Sequence, residues 1–440
     1  MRQEQEKKLT RVLLVGLDTG TEEDFDHSME ELESLAKAAE RQVAGRIVQR
    51  AEAVNKSYYI GSGKVEEVKE YAEYCEAEEV IFDNALSPSQ MRNLGQELKL
   101  VVLDRTGLIL EIFALRARTR EARLQVETAR LQYVLPRLIG MRENLSRQGG
   151  MGRSGAGAAQ SNRGAGETKL ELDRRKIEHR ISKLRIELDN VCRSRETMRK
   201  KRSQSHTPKV VLVGYTNAGK STILNRMIDR YGEDLEKKVA EEDMLFATLD
   251  TNVRCIRPKK GDGALNKPFF LADTVGFIEK LPHGLIKAFR STLEEVRYAD
   301  LLVHVVDCSD EYYRQHMEVT CQTLQELGAA DIPQITVYNK ADKRIGMQES
   351  LPKVREGQIY MSAVNGCGVE QLADMIMDTV YAERVESAFL LPYDKGGIVS
   401  YFMENAQVLE QEYREEGVWL RVCCDRVDAQ RYEIWQNNAG

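Results

Sequence analysis

The residues with the clearest chemistry lie at 214–221, where the chain reads Gly-Tyr-Thr-Asn-Ala-Gly-Lys-Ser. A glycine, four residues and then Gly-Lys-Ser is the spacing of a phosphate-binding loop, provided that a strand leads into it and a helix leaves it. Both are expected here: KVVLVG (209–214) is an apolar strand-like run, and STILNRMID (221–229) reads as a helix. In such a loop the glycines let the backbone wrap around phosphates, and the helix N-terminus supplies positive potential. Lys220 is expected to reach the β- and γ-phosphates and Ser221 to bind Mg²⁺. Gly214, Asn217, Ala218, Gly219 and Thr222 make up the rest of the phosphate cradle.

Three further motifs follow in order. DTVG (273–276) comes after the apolar run PFFLA, which puts Asp273 at a strand end where a carboxylate can help to hold Mg²⁺, and leaves the Gly276 N–H for the γ-phosphate. NKAD (339–342) comes after QITVY. Asp342 there can accept both N1–H and N2–H₂ of guanine, an edge that adenine lacks, while Asn339 and Lys340 brace and cover the base. Ser362 and Ala363 end another strand-like run, QIYM, and the Ala363 N–H can meet guanine O6. Four motifs in this order, each at a strand end, point to a GTP site. FATLDTN (246–252) falls where the switch loop belongs. Thr248 is the first choice for its Mg²⁺-binding and catalytic hydroxyl, beside Lys220 as the other catalytic residue, and Thr251 is the alternative. The position after DTVG, often a water-orienting glutamine, is Phe277, so slow intrinsic hydrolysis and acceleration by a partner are expected.

The elements that position these motifs divide the chain into four expected parts. Residues 1–105 form an α/β domain: RVLLVGL (11–17), EVIFDN (79–84) and LVVLD (100–104) read as strands, while 28–44, 64–76 and 87–99 read as helices. Ser87-Pro88 is a helix start, with serine as N-cap and proline at the first position. Residues 106–206 form a helical hairpin. Its first arm is helix-forming from Gly107 to Arg137, with Leu124, Leu131, Leu135 and Leu138 on one stripe. A glycine-rich loop (146–166) follows, and then a second helix from about Glu167 whose seam is Ile177, Ile181, Leu184, Leu188 and Val191. Residues 207–384 are the P-loop domain with a mostly parallel sheet, and 385–440 a small α+β module: strand FLLPYD, helix GIVSYFMEN, and a hairpin turning near Glu416-Gly417. GSGK (61–64) lacks full P-loop spacing and is taken as a turn into a helix.

Composition sets the outer bounds. With 440 residues, 42% hydrophobic and 30% charged, the chain is a multi-domain globular protein, not a disordered or fibrous one. It has no apolar run of the roughly 18 residues needed to span a bilayer, its opening residues lack the long apolar stretch of a secretory signal, and its eight scattered cysteines form no C-x-x-C pair, so a cytoplasmic location is expected. The net charge of −6 conceals a contrast: residues 116–202 hold 23 Lys+Arg against 10 Asp+Glu, a local balance of +13. Such a segment is fitted to a polyanion, with Arg147, Arg153 and Arg163 in or beside the glycine-rich loop as contact candidates.

GYTNAGKS, FATLD, DTVGFI and NKAD resemble the HflX family of translation-associated GTPases. So do stretches outside them: GSGKVEEV, FDNALSPSQMRNL, VLDRTGLILEIFALRARTREARLQVE and RGAGETKLELDRRKI. The resemblance implies binding to the large ribosomal subunit, its ribosomal RNA and whole ribosomes, and splitting of stalled ribosomes under stress with hydrolysis coupled to release. Asn217 matches the P-loop asparagine of potassium-stimulated GTPases, which would add K⁺ to Mg²⁺; a purely loop-shaping asparagine is the other reading. RGAGETKLE stands where many relatives have RGPGETQLE, and Thr251-Asn252 where they often have proline-threonine. A nucleotide-regulated RNA-remodelling protein acting through the basic hairpin is the alternative function, and a protein-binding switch without RNA a third. Nothing in the seams calls for a dimer, so a monomer is expected.

Overall fold

The computed structural model describes residues 9–20, 24–148, 161–203, 207–232, 245–246, 252–258, 268–280, 295–344, 350–382 and 384–436; side chains are described throughout these except at 138–148, 161–170, 192, 194–203 and 425. The chain divides into two compact units: 1–190 with 244–249 and 280–289, and 191–243 with 250–279 and 290–440.

The first unit is built on a parallel sheet of β1 (Thr10–Asp18), β2 (Arg41–Arg50), β3 (Glu79–Phe82) and β4 (Val101–Asp104), in the order β2-β1-β3-β4. Helices α1 (Phe25–Ala38), α2 (Ser62–Tyr74) and α3 (Pro88–Leu98) make the crossovers, and α4 (Arg105–Arg116) follows β4. Apolar runs such as Val12–Val15 and Val80–Phe82 are buried, as strands covered on both faces must be. The start of α3 is a complete capping box: Gln90 N–H donates to Ser87 Oγ at 3.2 Å and Ser87 N–H to Gln90 Oε1 at 2.9 Å. GSGK opens α2, and Lys64 there is held by the Glu67 carboxylate at 2.7 Å.

Three boundaries differ from those read in the sequence. Helical periodicity over 28–44 gives way after Ala38, and a strand begins at Arg41. That strand, β2, lies at the sheet edge, and its charged residues and Gly45 dilute the alternation that would mark it. The first hairpin arm is two helices: α4 stops at Arg116, and α5 (Arg120–Gln148) restarts where Thr119 Oγ1 accepts the Ala122 N–H at 3.2 Å. The second arm, α6 (Ser161–Ser203), begins six residues before Glu167. Each helical glycine costs about 1 kcal/mol against alanine, but extending a formed helix adds one hydrogen bond per residue without a new nucleation step.

Helices α5 and α6 lie in antiparallel register. Arg120 pairs with Glu187 at 3.3 Å and Arg180 with Glu127 at 2.7 Å, so a step of seven residues up one helix is a step of seven down the other. Leu124 of α5 and Ile181 and Leu184 of α6 are buried.

Adjacent residues of opposite charge organise the unit's interior. Asp104, fully buried, accepts from Gly107 N–H at 2.8 Å, Leu86 N–H at 3.0 Å, Tyr133 Oη at 2.6 Å and Arg137 Nη2 at 3.1 Å. It thereby caps α4 and anchors α5. Arg105, 1% exposed, turns the other way to Glu31 on α1 and to Asp83 after β3, the latter at 2.7 Å. Lys280, a residue of this same unit, also reaches Asp83 at 2.7 Å.

The second unit carries a seven-stranded sheet of β5 (Lys209–Val213), β6 (Asn252–Ile256), β7 (Phe269–Asp273), β8 (Leu301–Asp307), β9 (Gln334–Asn339), β10 (Lys353–Arg355) and β11 (Gln358–Tyr360), in the order β10-β11-β9-β8-β5-β7-β6. Only the edge strands β6 and β10 run antiparallel to their neighbours. Helices α7 (Lys220–Tyr231), α8 (Tyr313–Glu326) and α9 (Val369–Val380) accompany it, and Ile223, Leu224 and Met227 of α7 share one core with Val210, Leu212 and Val303. Next come the antiparallel strands β12 (Arg384–Leu391), β13 (Gln407–Arg414) and β14 (Gly417–Asp425), with β14 central and α10 (Gly396–Asn405) beside them. Phe389 and Phe402 stack at 4.7 Å in their core.

Replacing Arg105 by Met would leave Glu31 and Asp83 buried with one cation fewer. Breaking a buried ion pair from one side costs about 3–5 kcal/mol, so R105M is expected to shift urea unfolding strongly to lower denaturant. A midpoint equal to the parent's would show that the two carboxylates do not depend on this guanidinium.

Candidate functional site

Parallel pairing brings the C-terminal ends of β7, β5, β8, β9 and β11 to one edge of the sheet, where ligands of open α/β folds bind. From β5 the chain passes into the loop through Gly214 at φ +145°, where a Cβ would sit 2.1 Å from the Val305 carbonyl oxygen, and leaves it through Gly219 at φ +93°, where a Cβ would sit 2.2 Å from Asn339 Nδ2. Neither position can hold a larger residue. Asn217 is exposed with φ +57°, a conformation that asparagine tolerates better than most residues.

Lys220 and Ser221 open α7. The buried Lys220 Nζ donates to the carbonyl oxygens of Gly214 at 3.0 Å and Tyr215 at 2.6 Å, closing the loop on its own lysine. Ser221 Oγ donates to Asp273 Oδ2 at 2.7 Å, so the two oxygen groups expected to share a cation are already neighbours. Oxygen donors of this kind suit Mg²⁺. Phe277 is buried at 2% exposure, and its backbone is laddered to the loop: Thr216 N–H donates to Phe277 O at 2.8 Å and Phe277 N–H to Gly214 O at 3.1 Å. Gly276 is thus set one residue before a fixed bridge. Tyr215, a variable position of the motif, stacks on His316 at 3.8 Å, and its hydroxyl accepts the Glu279 N–H at 2.9 Å.

At the other end of the site, Asn339 joins two loops. Its Nδ2 donates to Ala218 O at 2.9 Å, and its Oδ1 accepts the Ala363 N–H at 3.0 Å. The Ala363 N–H expected for guanine O6 therefore has a protein acceptor with which any base would share it. Lys340, at φ +58°, is steadied by Asp307 at 2.8 Å, and Asp342 follows in a short 3₁₀ turn, Ala341–Lys343. Ser362 is buried at the start of a loop closed by reciprocal backbone bonds with Cys367, at 3.1 and 3.0 Å. Thr222 lies in the first turn of α7. Thr248, Thr251 and Arg153 lie outside the described residues; Arg147 and Arg163 fall in the last turn of α5 and the first of α6.

Tyr215, Asp307, His304 and Arg226 went unread in the sequence. Only Asp307 left a signal, an apolar run (LLVHVV) ending in a carboxylate, as in the run before Asp273. Burial pushes the Lys220 ammonium down to about 8, with Asp273 opposing the shift. Burial, and then the charge of Lys220, push His304 on β8 down to about 4, so it stays neutral near pH 7.

Residues 26–114 match a family model described as GTP-binding GTPase N-terminal, 116–202 one described as GTP-binding GTPase Middle Region, and 209–340 one described as 50S ribosome-binding GTPase. Over 410 residues the chain is 42% identical to GTPase HflX of Lacrimispora saccharolytica, covering 93% of this chain and 92% of that one. It is 39% identical over 417 residues to GTPase HflX of Escherichia coli K12, covering 93% of each. A crystal structure of a GTP-binding protein from Sulfolobus solfataricus in complex with GDP covers 84% of this chain and 99% of its own, at 23% identity and a TM-score of 0.43.

The depressed Lys220 makes a titration test of this site. A polyphosphate beside the ammonium favours its charged form and raises its pKa, so binding takes up a proton above pH 8. Guanine-nucleotide affinity is therefore expected to fall as pH rises from about 7.5 to about 9.5, with proton uptake visible by calorimetry in buffers of different ionisation enthalpy. Constant affinity over that range would remove Lys220 from the phosphate contacts.

Proposed function

This chain belongs to the HflX family of GTPases, and from that premise we propose that it binds the large ribosomal subunit and whole ribosomes and dissociates stalled ribosomes into subunits under stress. It is a GTPase, converting GTP to GDP and phosphate. In this reading hydrolysis permits release from the ribosome, and the protein works in the cytoplasm as a monomer. No helix among the described residues is long and apolar enough to cross a membrane.

The observation that carries the ribosomal partner is the +13 balance of 116–202 in a chain whose next segment, 209–340, matches the 50S ribosome-binding model. Clustered lysines and arginines bind phosphate backbones by releasing condensed counterions, and the wide minor groove and loops of folded RNA suit helices of this kind. Arg147, Arg153 and Arg163, with the glycine-rich loop, are the proposed contacts to ribosomal RNA.

Each site residue takes a role in the proposal. Lys220, with the N–H groups of Gly214, Asn217, Ala218, Gly219, Ser221, Thr222 and Gly276, cradles the phosphates. Asp342 reads the N1–H and N2–H₂ edge of guanine, Asn339 and Lys340 support the base, and Ser362 and Ala363 form the wall at O6. Ser221 and Asp273, with Thr248 from the switch segment, hold Mg²⁺, which when bound neutralises charge on the β- and γ-phosphates. Phe277, being buried and laddered to the loop, orients no water.

Hydrolysis by the protein alone is expected to be slow and to rise at least about tenfold with purified large ribosomal subunits, since a part supplied in trans commonly gives far more. Equal rates with and without subunits, at undiminished GTP binding, would favour the RNA-remodelling reading, whose mark is nucleotide-independent binding of free structured RNA. Asn217 yields a second test. If it helps to hold K⁺ at the phosphates, hydrolysis is faster in K⁺ than in Na⁺ and N217A abolishes the difference; equal rates in the two salts would leave Asn217 as a shaper of the loop.

A further inference from the structure

We propose that Arg226, which belongs to none of the nucleotide-binding motifs, is a positioning residue for guanine recognition: it aims the backbone N–H groups of the 362–367 loop at O6 of the base. The proposal rests on reading this site as a GTP site and adds the part of the specificity that the motifs do not supply.

Arg226 sits in the middle of α7, six residues after Lys220. Its Nε donates to the carbonyl oxygen of Ala363 at 3.1 Å and its Nη2 to that of Val364 at 2.5 Å. The guanidinium is a rigid planar fork, so two such bonds fix a direction as well as a distance. A peptide group is planar and trans, with its N–H pointing opposite to its C=O. Holding the Ala363 carbonyl therefore sets the direction of the Val364 N–H. The preceding peptide is held from another side: its Ala363 N–H donates to Asn339 Oδ1, and its Ser362 carbonyl accepts the Cys367 N–H at 3.0 Å. The Ala363 carbonyl also accepts the Gly366 N–H at 3.1 Å, which closes the turn from inside.

Arg226 and Asn339 thus orient two consecutive N–H groups, those of Val364 and Ala363. Among the described residues no acceptor takes the Val364 N–H, whereas the Ala363 N–H is shared with Asn339. Guanine presents an acceptor at C6 and adenine an amino group, so two aimed N–H donors favour the first and meet donors in the second. The anchor also lies on the helix that opens with Lys220 and Ser221, which makes one rigid element serve both the phosphates and the base.

The test compares two probes on the full chain: GDP, and the diphosphate of 2-aminopurine riboside, which keeps the N2 amino group but has no O6. R226A is expected to weaken GDP about tenfold, the scale of losing oriented hydrogen bonds, while changing the 2-aminopurine nucleotide by less than about twofold. R226K, which keeps one donor without the fork, is expected to fall between, and decides the matter if R226A does not fold. Equal weakening of both probes would make Arg226 a brace for α7 alone and overturn the proposal, as would unchanged GDP affinity. A parent protein that binds GDP no better than the 2-aminopurine nucleotide would remove the guanine site itself, and the proposal with it.

Discussion

Parallel pairing of β7, β5, β8, β9 and β11 obliges the chain to leave each of these strands at the same edge of the sheet. Everything in the nucleotide site follows from that constraint. Residues from Gly214 to Ala363 meet because each ends a strand or follows one, and register sets their order: Asp307 lies opposite Asn339, and Leu212, two residues before Gly214, lies opposite Asp273. One face of these strands is apolar throughout, with Val210, Leu212, Val303, Val305 and Val337 fully buried in a single core. At the rim, backbone groups freed from the ladder are available to ligands.

The first unit solves a different problem, the fixing of helices around a small sheet. Its device is a pair of opposite charges on neighbouring residues at the β4–α4 junction. Asp104 gathers donors from α4, α5 and the turn after β3, and Arg105 gathers carboxylates from α1 and from the residue that follows β3. Burial and Asp104 hold the Tyr133 phenol far above its ordinary range, so it remains a donor throughout the working pH range. Buried ionic groups of this kind contribute little net stability when complete. Their effect is on which arrangement forms, because any packing that separates the partners strands a charge in the core.

Much of this was readable in the residues. The four nucleotide motifs announced themselves because each has fixed spacing and an apolar run before it, and Ser87-Pro88 marked the start of α3 because capping chemistry is local. Strand β2 escaped because an edge strand needs no apolar alternation. The break between α4 and α5 escaped because a single threonine makes it within a stretch that is otherwise helix-forming. Arg226 could not have been read at all. Its partners are backbone carbonyls, which exist at every position, so no pattern of residue types records the pairing.

Asn339 has one more consequence. Its two amide atoms are the mechanical link between the 214–221 loop, proposed for the phosphates, and the 362–367 loop, proposed for the base, through Ala218 on one side and Ala363 on the other. A ligand that steadies either loop has already borne part of the ordering cost of the other. Guanosine and pyrophosphate, supplied as separate molecules, should accordingly bind with positive cooperativity, each sharpening the site for its missing half. The intact nucleotide would then owe its affinity to more than the sum of its two ends.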